Sequence, residues 1–122
     1  MVRLTGFSAG RNRLLQERLE ATRARLDTEP DTHYSLELYI SDNSDPERVE
    51  RFLVRARDRD SVQLEDILVL PVESGGRYRI WALYGAYSDR SAAREAAKQL
   101  PQRYRDTFVL FPRSFAELRR PL

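Results

Sequence analysis

GGRYRIWALYGAY, residues 75–87, opens with two glycines and then alternates, with Tyr78, Ile80, Ala82 and Tyr84 on one side and Arg79, Trp81 and Leu83 on the other. Alternation with period two belongs to a half-buried strand. Gly75 and Gly76 supply a hairpin turn, and the β-rich run ILVLPV, residues 67–72, is the strand that enters it. The chain's single tryptophan therefore sits on a strand and must take one of its two faces. Packing the Arg79, Trp81 and Leu83 side beneath a helix would bury a guanidinium with no evident partner, which is costly. Trp81 is expected to face away from the helices, with Ala82 turned toward them.

Upstream, HYSLELYIS (residues 33–41) alternates as strictly, placing Leu36, Leu38 and Ile40 on one face and Ser35, Glu37 and Tyr39 on the other. DNSDPERVERFLVRARDRD (42–60) predicts a helix capped by Asp45, with Pro46 at its first position and an apolar stripe of Val49, Phe52, Leu53 and Ala56. Downstream, SDRSAAREAAKQL (88–100) predicts a second helix, capped by Ser88 or Ser91 and ended by Pro101. Its alanines at 92, 93, 96 and 97 would let it approach a sheet closely. TFVLFPRS (107–114) supplies the last strand, and FAELRRPL (115–122) shows no clear type.

At the front, RLLQERLEATRARL (13–26) follows Asn12 and carries Leu15, Leu19, Thr22 and Leu26 on one stripe, an amphipathic helix that Pro30 ends. The order β-α-β-β-α-β after it predicts an α+β fold, an RNP-like (ferredoxin-like) split with a four-stranded antiparallel sheet and two helices on one face. Its first and third strands are central. Pro71 and Pro112 then fall in edge strands, where a missing N–H is tolerated. The expected organisation is an N-terminal helix and linker over 1–32, a domain over 33–116 and a tail over 117–122.

The sheet face away from the helices collects Glu37, Tyr39, Arg79 and Trp81, joined by Val109, Phe111 and Arg113 if Phe108 and Leu110 enter the core. Aromatic and charged groups interleave there. Either the N-terminal helix folds across this face, or it stays open as a platform for planar or ring-shaped ligands such as sugars and nucleobases.

Composition narrows the function. The 122 residues are 41% hydrophobic and 33% charged, and they suffice for one domain. Cysteine is absent, which excludes disulfides, thiolate catalysis and thiolate zinc. Twenty arginines and one lysine leave a net charge of only +2, too little for an electrostatically driven nucleic-acid binder. His33, the one histidine, has no companion for a metal site or a catalytic dyad, and it reads as a surface or hinge residue. Asp42 and Asp45 lack the glycine and closing glutamate of a calcium loop. Only Glu37 offers a carboxylate on the open face, so no acid pair for glycoside hydrolysis is present. The arginines at 48, 51, 55, 57 and 59 read as a solvated helix surface. Neither enzyme activity, a cofactor nor a metal is expected. The apolar run 67–72 is too short to span a membrane, and no apolar leader opens the chain, so work outside the cytoplasm would require a longer or anchored protein.

HYSLELYISDNSDPERVERFLVRA, GGRYRIWALYGAYSDRSAAREAAKQLP and FPRSFAEL resemble the SPOR domain, the sporulation-related repeat, most clearly in HYSLELY and YGAYSDRSAA. The resemblance implies a non-catalytic module that binds the glycan backbone of peptidoglycan. It favours strands stripped of stem peptides, and so localises its protein to the division septum. It implies a periplasmic or cell-envelope setting, with cell-division or envelope proteins as further partners. The ligand face it implies holds Glu37, Tyr39, Arg79, Trp81, Phe111 and Arg113. Glu37 stands where many members have glutamine, and Tyr39 where a glycine often follows. A carboxylate accepts hydrogen bonds from sugar hydroxyls but donates none, and it repels acidic muramyl groups. The alternative is a protein-interaction or structural module whose face is filled by residues 12–26 or by a partner. Single-stranded RNA binding is a weaker third, since the aromatic RNP motif with flanking basic residues is missing.

Overall fold

The computed structural model describes residues 7–120; residues 1–6 and 121–122, which belong to the expected N-terminal segment and tail, lie outside them. In chain order the elements are α1 (Arg13–Thr28), β1 (Tyr34–Ser41), α2 (Pro46–Asp58), β2 (Ile67–Ser74), β3 (Arg77–Tyr87), α3 (Arg90–Ala97), α4 (Gln102–Thr107), β4 (Pro112–Ser114) and α5 (Phe115–Arg119). The four strands pair antiparallel in the order β2-β3-β1-β4. This is the expected split arrangement, with β1 and β3 central. Gly75 and Gly76 both take positive φ at the β2–β3 hairpin, as a tight turn between twisted strands requires.

The helix side of the sheet is packed as the periodicity implies. Leu36 and Leu38 of β1, Ile67 and Val69 of β2, and Ile80 and Ala82 of β3 form one buried cluster with Val49, Phe52, Leu53 and Ala56 of α2 and Ala93 of α3. Burying a side chain of this kind stabilises by about 1.5–3 kcal/mol. The Asp45 carboxylate accepts the Glu47 N–H at 3.1 Å and caps α2. The cap of α3 is Asp89, whose carboxylate accepts the Ala92 N–H at 2.7 Å, in place of Ser88 or Ser91. The carboxylate is the stronger, charge-assisted acceptor at a helix N-terminus.

Two register shifts change the expected alternation. On β1, Glu37 pairs with Leu83 but Tyr39 with Ala82, so one extra residue bulges out at Leu38. Tyr39 consequently turns to the helix side against Phe52, and Ile40 turns to the other, where it packs near Trp81. The expected placement of Tyr39 on the open face, and of Ile40 under the helices, is corrected by this bulge. The second shift lies between the Tyr34 and Leu36 pairs, opposite Gly85 on β3. Gly85 has φ +74°, and the Tyr87 ring occupies the place a β-carbon would need.

The last strand is much shorter than residues 107–114. Gln102–Thr107 is helical, Leu110 takes a positive φ, and only Pro112–Ser114 pairs with β1. Residues 115–119 form a helix, so the expected boundary after 116 falls inside α5.

α1 neither crosses the sheet face nor stands apart. It lies along the outer edge of β2, where the Thr22 hydroxyl accepts the buried Val69 N–H at 2.9 Å. Pro71, two residues on, presents no N–H to the same edge. Arg18 donates to the Leu64 carbonyl at 2.9 Å, and the Glu50 carboxylate of α2 caps the first turn of α1 through the N–H groups of Leu14 (3.2 Å) and Leu15 (2.8 Å). α1 thereby shields an edge that could otherwise pair with another chain.

Candidate functional site

Trp81 lies on the sheet face away from α2 and α3, as the strand pattern predicts. It packs with Leu68, Leu70 and Leu83, and with Leu26 of α1 and Phe115 and Leu118 of α5. The face is divided. Toward the start of β1 it is roofed by α5 and the last turn of α1, tied together by Arg119, which donates to the Leu26 carbonyl at 2.7 Å and pairs with Asp31. Toward the end of β1 it is uncovered, and Arg79, Ile40 and Phe111 are accessible there.

Arg113 sits on the boundary. Its guanidinium carbon is 5.5 Å from the Trp81 ring centre and 4.9 Å from that of Phe111, so the cation rests between two aromatic faces. It donates to the Glu37 carboxylate at 2.9 Å and pairs with Glu117 of α5 at 3.3 Å. Burial works against the Arg113 charge, but the hydrogen bonds and charges of Glu37 and Glu117 outweigh it and raise its pKa. Glu117 belongs in turn to a capping box with Ser114, which fixes the start of α5. Arg79 pairs with Asp42 at 2.8 Å on the exposed end of the face.

Of the six residues singled out in the sequence, the structure brings Glu37, Trp81, Phe111 and Arg113 into one contact network. Arg79 lies on the same face farther along β3, and Tyr39 is on the opposite side. Trp81 is only 9% exposed, Phe111 47%. The accessible ring of the site is therefore Phe111, and the indole forms a floor beneath Arg113. Trp81 Nε1 and Ser35 Oγ are the buried side-chain polar atoms without a hydrogen-bond partner among the described residues, and both belong to this face. The sequence pattern points neither to Glu117 as a partner of Arg113 nor to Asp42 as a partner of Arg79. SFAE, residues 114–117, is a capping-box pattern that could have revealed the first; nothing local could have linked Asp42 to Arg79 across two strands.

A split β-α-β-β-α-β sheet thus carries, on the face away from α2 and α3, rings and paired charges in one contact network. The family comparison is specific: the SPOR domain model matches residues 30–110, about two thirds of the chain, and the chain belongs to the SPOR domain family. That is a family of peptidoglycan-binding modules that occur in cell-envelope and septal proteins. The matched stretch ends just before Phe111 and Arg113. No curated protein matches the chain directly. Among the described residues, no helix is long and apolar enough to cross a membrane.

Proposed function

We propose that the module binds peptidoglycan glycan strands, preferentially those without stem peptides, through Glu37, Arg79, Trp81, Phe111 and Arg113, and so directs its protein to the division site in the cell envelope. The observation that carries this reading is the Arg113 guanidinium held between Trp81 and Phe111 and neutralised by Glu37. Phe111 offers an accessible ring for the apolar face of a sugar, and Arg113 and Arg79 donate to hydroxyls that Glu37 and Glu117 can also serve as acceptors. The buried indole N–H of Trp81 has no hydrogen-bond partner among the described residues.

The two departures from the usual pattern fit this reading. Glu37 does not stand as a bare carboxylate, because Arg113 cancels its charge and supplies the donor that glutamine would have given. Tyr39 does not obstruct the face, because the Leu38 bulge carries its ring to the other side. Residues 12–26 reach this face through Leu26 in the last turn of α1, while Thr22 lies at the β2 edge, and Arg79 and Phe111 are exposed beyond that cover.

The test is retention on isolated sacculi before and after an amidase has removed the stem peptides. Retention should rise after treatment and fall about tenfold for Arg113→Gln, equivalent to about 1.4 kcal/mol. Equal retention on both preparations, or none on either, would end the proposal.

A further inference from the structure

On the helix side, the bulge that moves Tyr39 opens a second feature. Tyr39, Phe52, Tyr104 and Phe108 form a chain of ring contacts, with centroids 5.1 Å apart for Tyr39 and Phe52, 6.3 Å for Tyr39 and Phe108, and 5.2 Å for Tyr104 and Phe108. These rings line a cleft of about 430 Å³ between α2, α4 and the end of β1. That volume is in the range of sites that hold a ligand. Arg48 and Arg55 of α2 stand at its wall, and neither makes an ion pair among the described residues. On the far wall Asp60 is already engaged, by Arg103 at 3.1 Å and by the Tyr104 hydroxyl at 3.1 Å.

Spacing along α2 specifies the ligand. Arg48, Phe52 and Arg55 are four and three residues apart, so they form one stripe of cation, ring, cation, about 10 Å long. The Tyr39 phenol adds a donor. Burial pushes its pKa up to about 12, against the pull of Arg48 and Arg55, so it stays protonated. The complement of this stripe is an apolar group flanked by two anions. A phosphate fits less well. No glycine borders the cleft, so it offers no nest of backbone N–H groups, and the N-terminus of α2 is closed by Asp45.

We propose that this cleft is a second binding site, on the side of the sheet opposite Arg113, which takes an acidic peptide segment of a protein partner with carboxylates on either side of an apolar residue. Guanidinium–carboxylate pairs give such a contact direction as well as attraction. The module would then hold glycan and a protein at the same time, one on each side of the sheet.

Fluorescence anisotropy with the whole chain tests this, using a labelled, N-acetylated peptide with a central Glu-Leu-Glu and its Gln-Leu-Gln analogue. Saturable binding of the first is expected, about tenfold tighter than of the second. Arg48→Gln combined with Arg55→Gln should weaken it about tenfold, whereas Arg51→Gln with Arg57→Gln, on the same helix but outside the cleft, should change it less than about twofold. All four arginines are exposed, so the fold should tolerate both double variants. Three results would overturn the proposal. These are no saturable binding of the acidic peptide, an equal loss in both double variants (the general field of α2), or full displacement by millimolar inorganic phosphate (a small-anion site).

Discussion

The two sides of the sheet are built from the same strands under different rules. The helix side is an apolar core covered by α2 and α3, open only at the ring-lined cleft by the end of β1, and among the described residues it leaves no buried side-chain polar atom unpaired. The opposite side keeps Arg113, Glu37 and Arg79 on the sheet, relies on the short α5 for its roof, and holds both unpaired polar atoms, Ser35 Oγ and Trp81 Nε1. A core can be re-formed from many apolar sequences of the right volume, whereas buried polar atoms without partners cost stability unless something is gained from them. The contrast separates a side whose contact surface is confined to one cleft at its margin from a side whose polar groups lie on the sheet itself.

That contrast breaks most sharply at Phe115. Its ring is fully buried against Trp81, Leu83 and Leu118, so Phe115→Ala should cost about 3–5 kcal/mol in urea unfolding, comparable with a large core deletion on the helix side. Acrylamide should then quench Trp81 far more readily. A loss under about 1 kcal/mol would mean that α5 is a loosely seated cover, and the two sides would differ even more than the packing implies.

Glu50 sharpens the comparison at the edge. Glu50→Ala removes the acceptor for two N–H groups at the start of α1, at an expected cost of about 1–3 kcal/mol. Hydrogen exchange should speed up at Leu14 and Leu15 while the amides shared by β1 and β3 stay protected. Faster exchange across the whole sheet would show that α1 is part of the core rather than an edge guard.

pH separates the sides by a third route. Burial raises the Tyr39 and Tyr87 pKa values to about 12, from an ordinary value of 10. Their stabilisation is complete below about pH 10. It is lost as pH climbs toward 12, because the unfolded chain releases these protons first. Unfolding midpoints should fall across that window, and Tyr39→Phe should flatten part of the fall. An unchanged slope in that variant would place the Tyr39 phenol in water and remove the floor of the helix-side cleft.

How much of this was legible in the sequence depends on the range of the forces involved. The strand order, the central positions of β1 and β3, the edge prolines and the orientation of Trp81 all follow from period-two and helical patterns, which are local. HYSLELYIS alternates without a visible break, so its pattern puts Tyr39 on the open face, and the bulge at Leu38 shows only in the pairing with β3. TFVLF is rich in strand formers and reads as a longer β4, yet α4 claims its first residue and the turn at Leu110 leaves only three residues to pair. The site was legible as a list of faces but not as a network. Arg113 and Glu37 are 76 residues apart, and only the closed sheet makes them neighbours.

The smallest effect on stability is expected where the effect on binding is largest. Phe111 is 47% exposed and touches Arg113 from the outside, so Phe111→Ala should shift stability by no more than about 0.5 kcal/mol. Retention on amidase-treated sacculi should nevertheless fall about tenfold. Val109, 84% exposed and outside the Arg113 contacts, supplies the control, and Val109→Ala should leave both measurements unchanged. If Phe111→Ala instead costs more than about 1.5 kcal/mol and binding falls only in proportion to the folded fraction, the ring is a structural cap on Arg113. The contact side of the sheet would then lose Phe111 as an accessible aromatic surface.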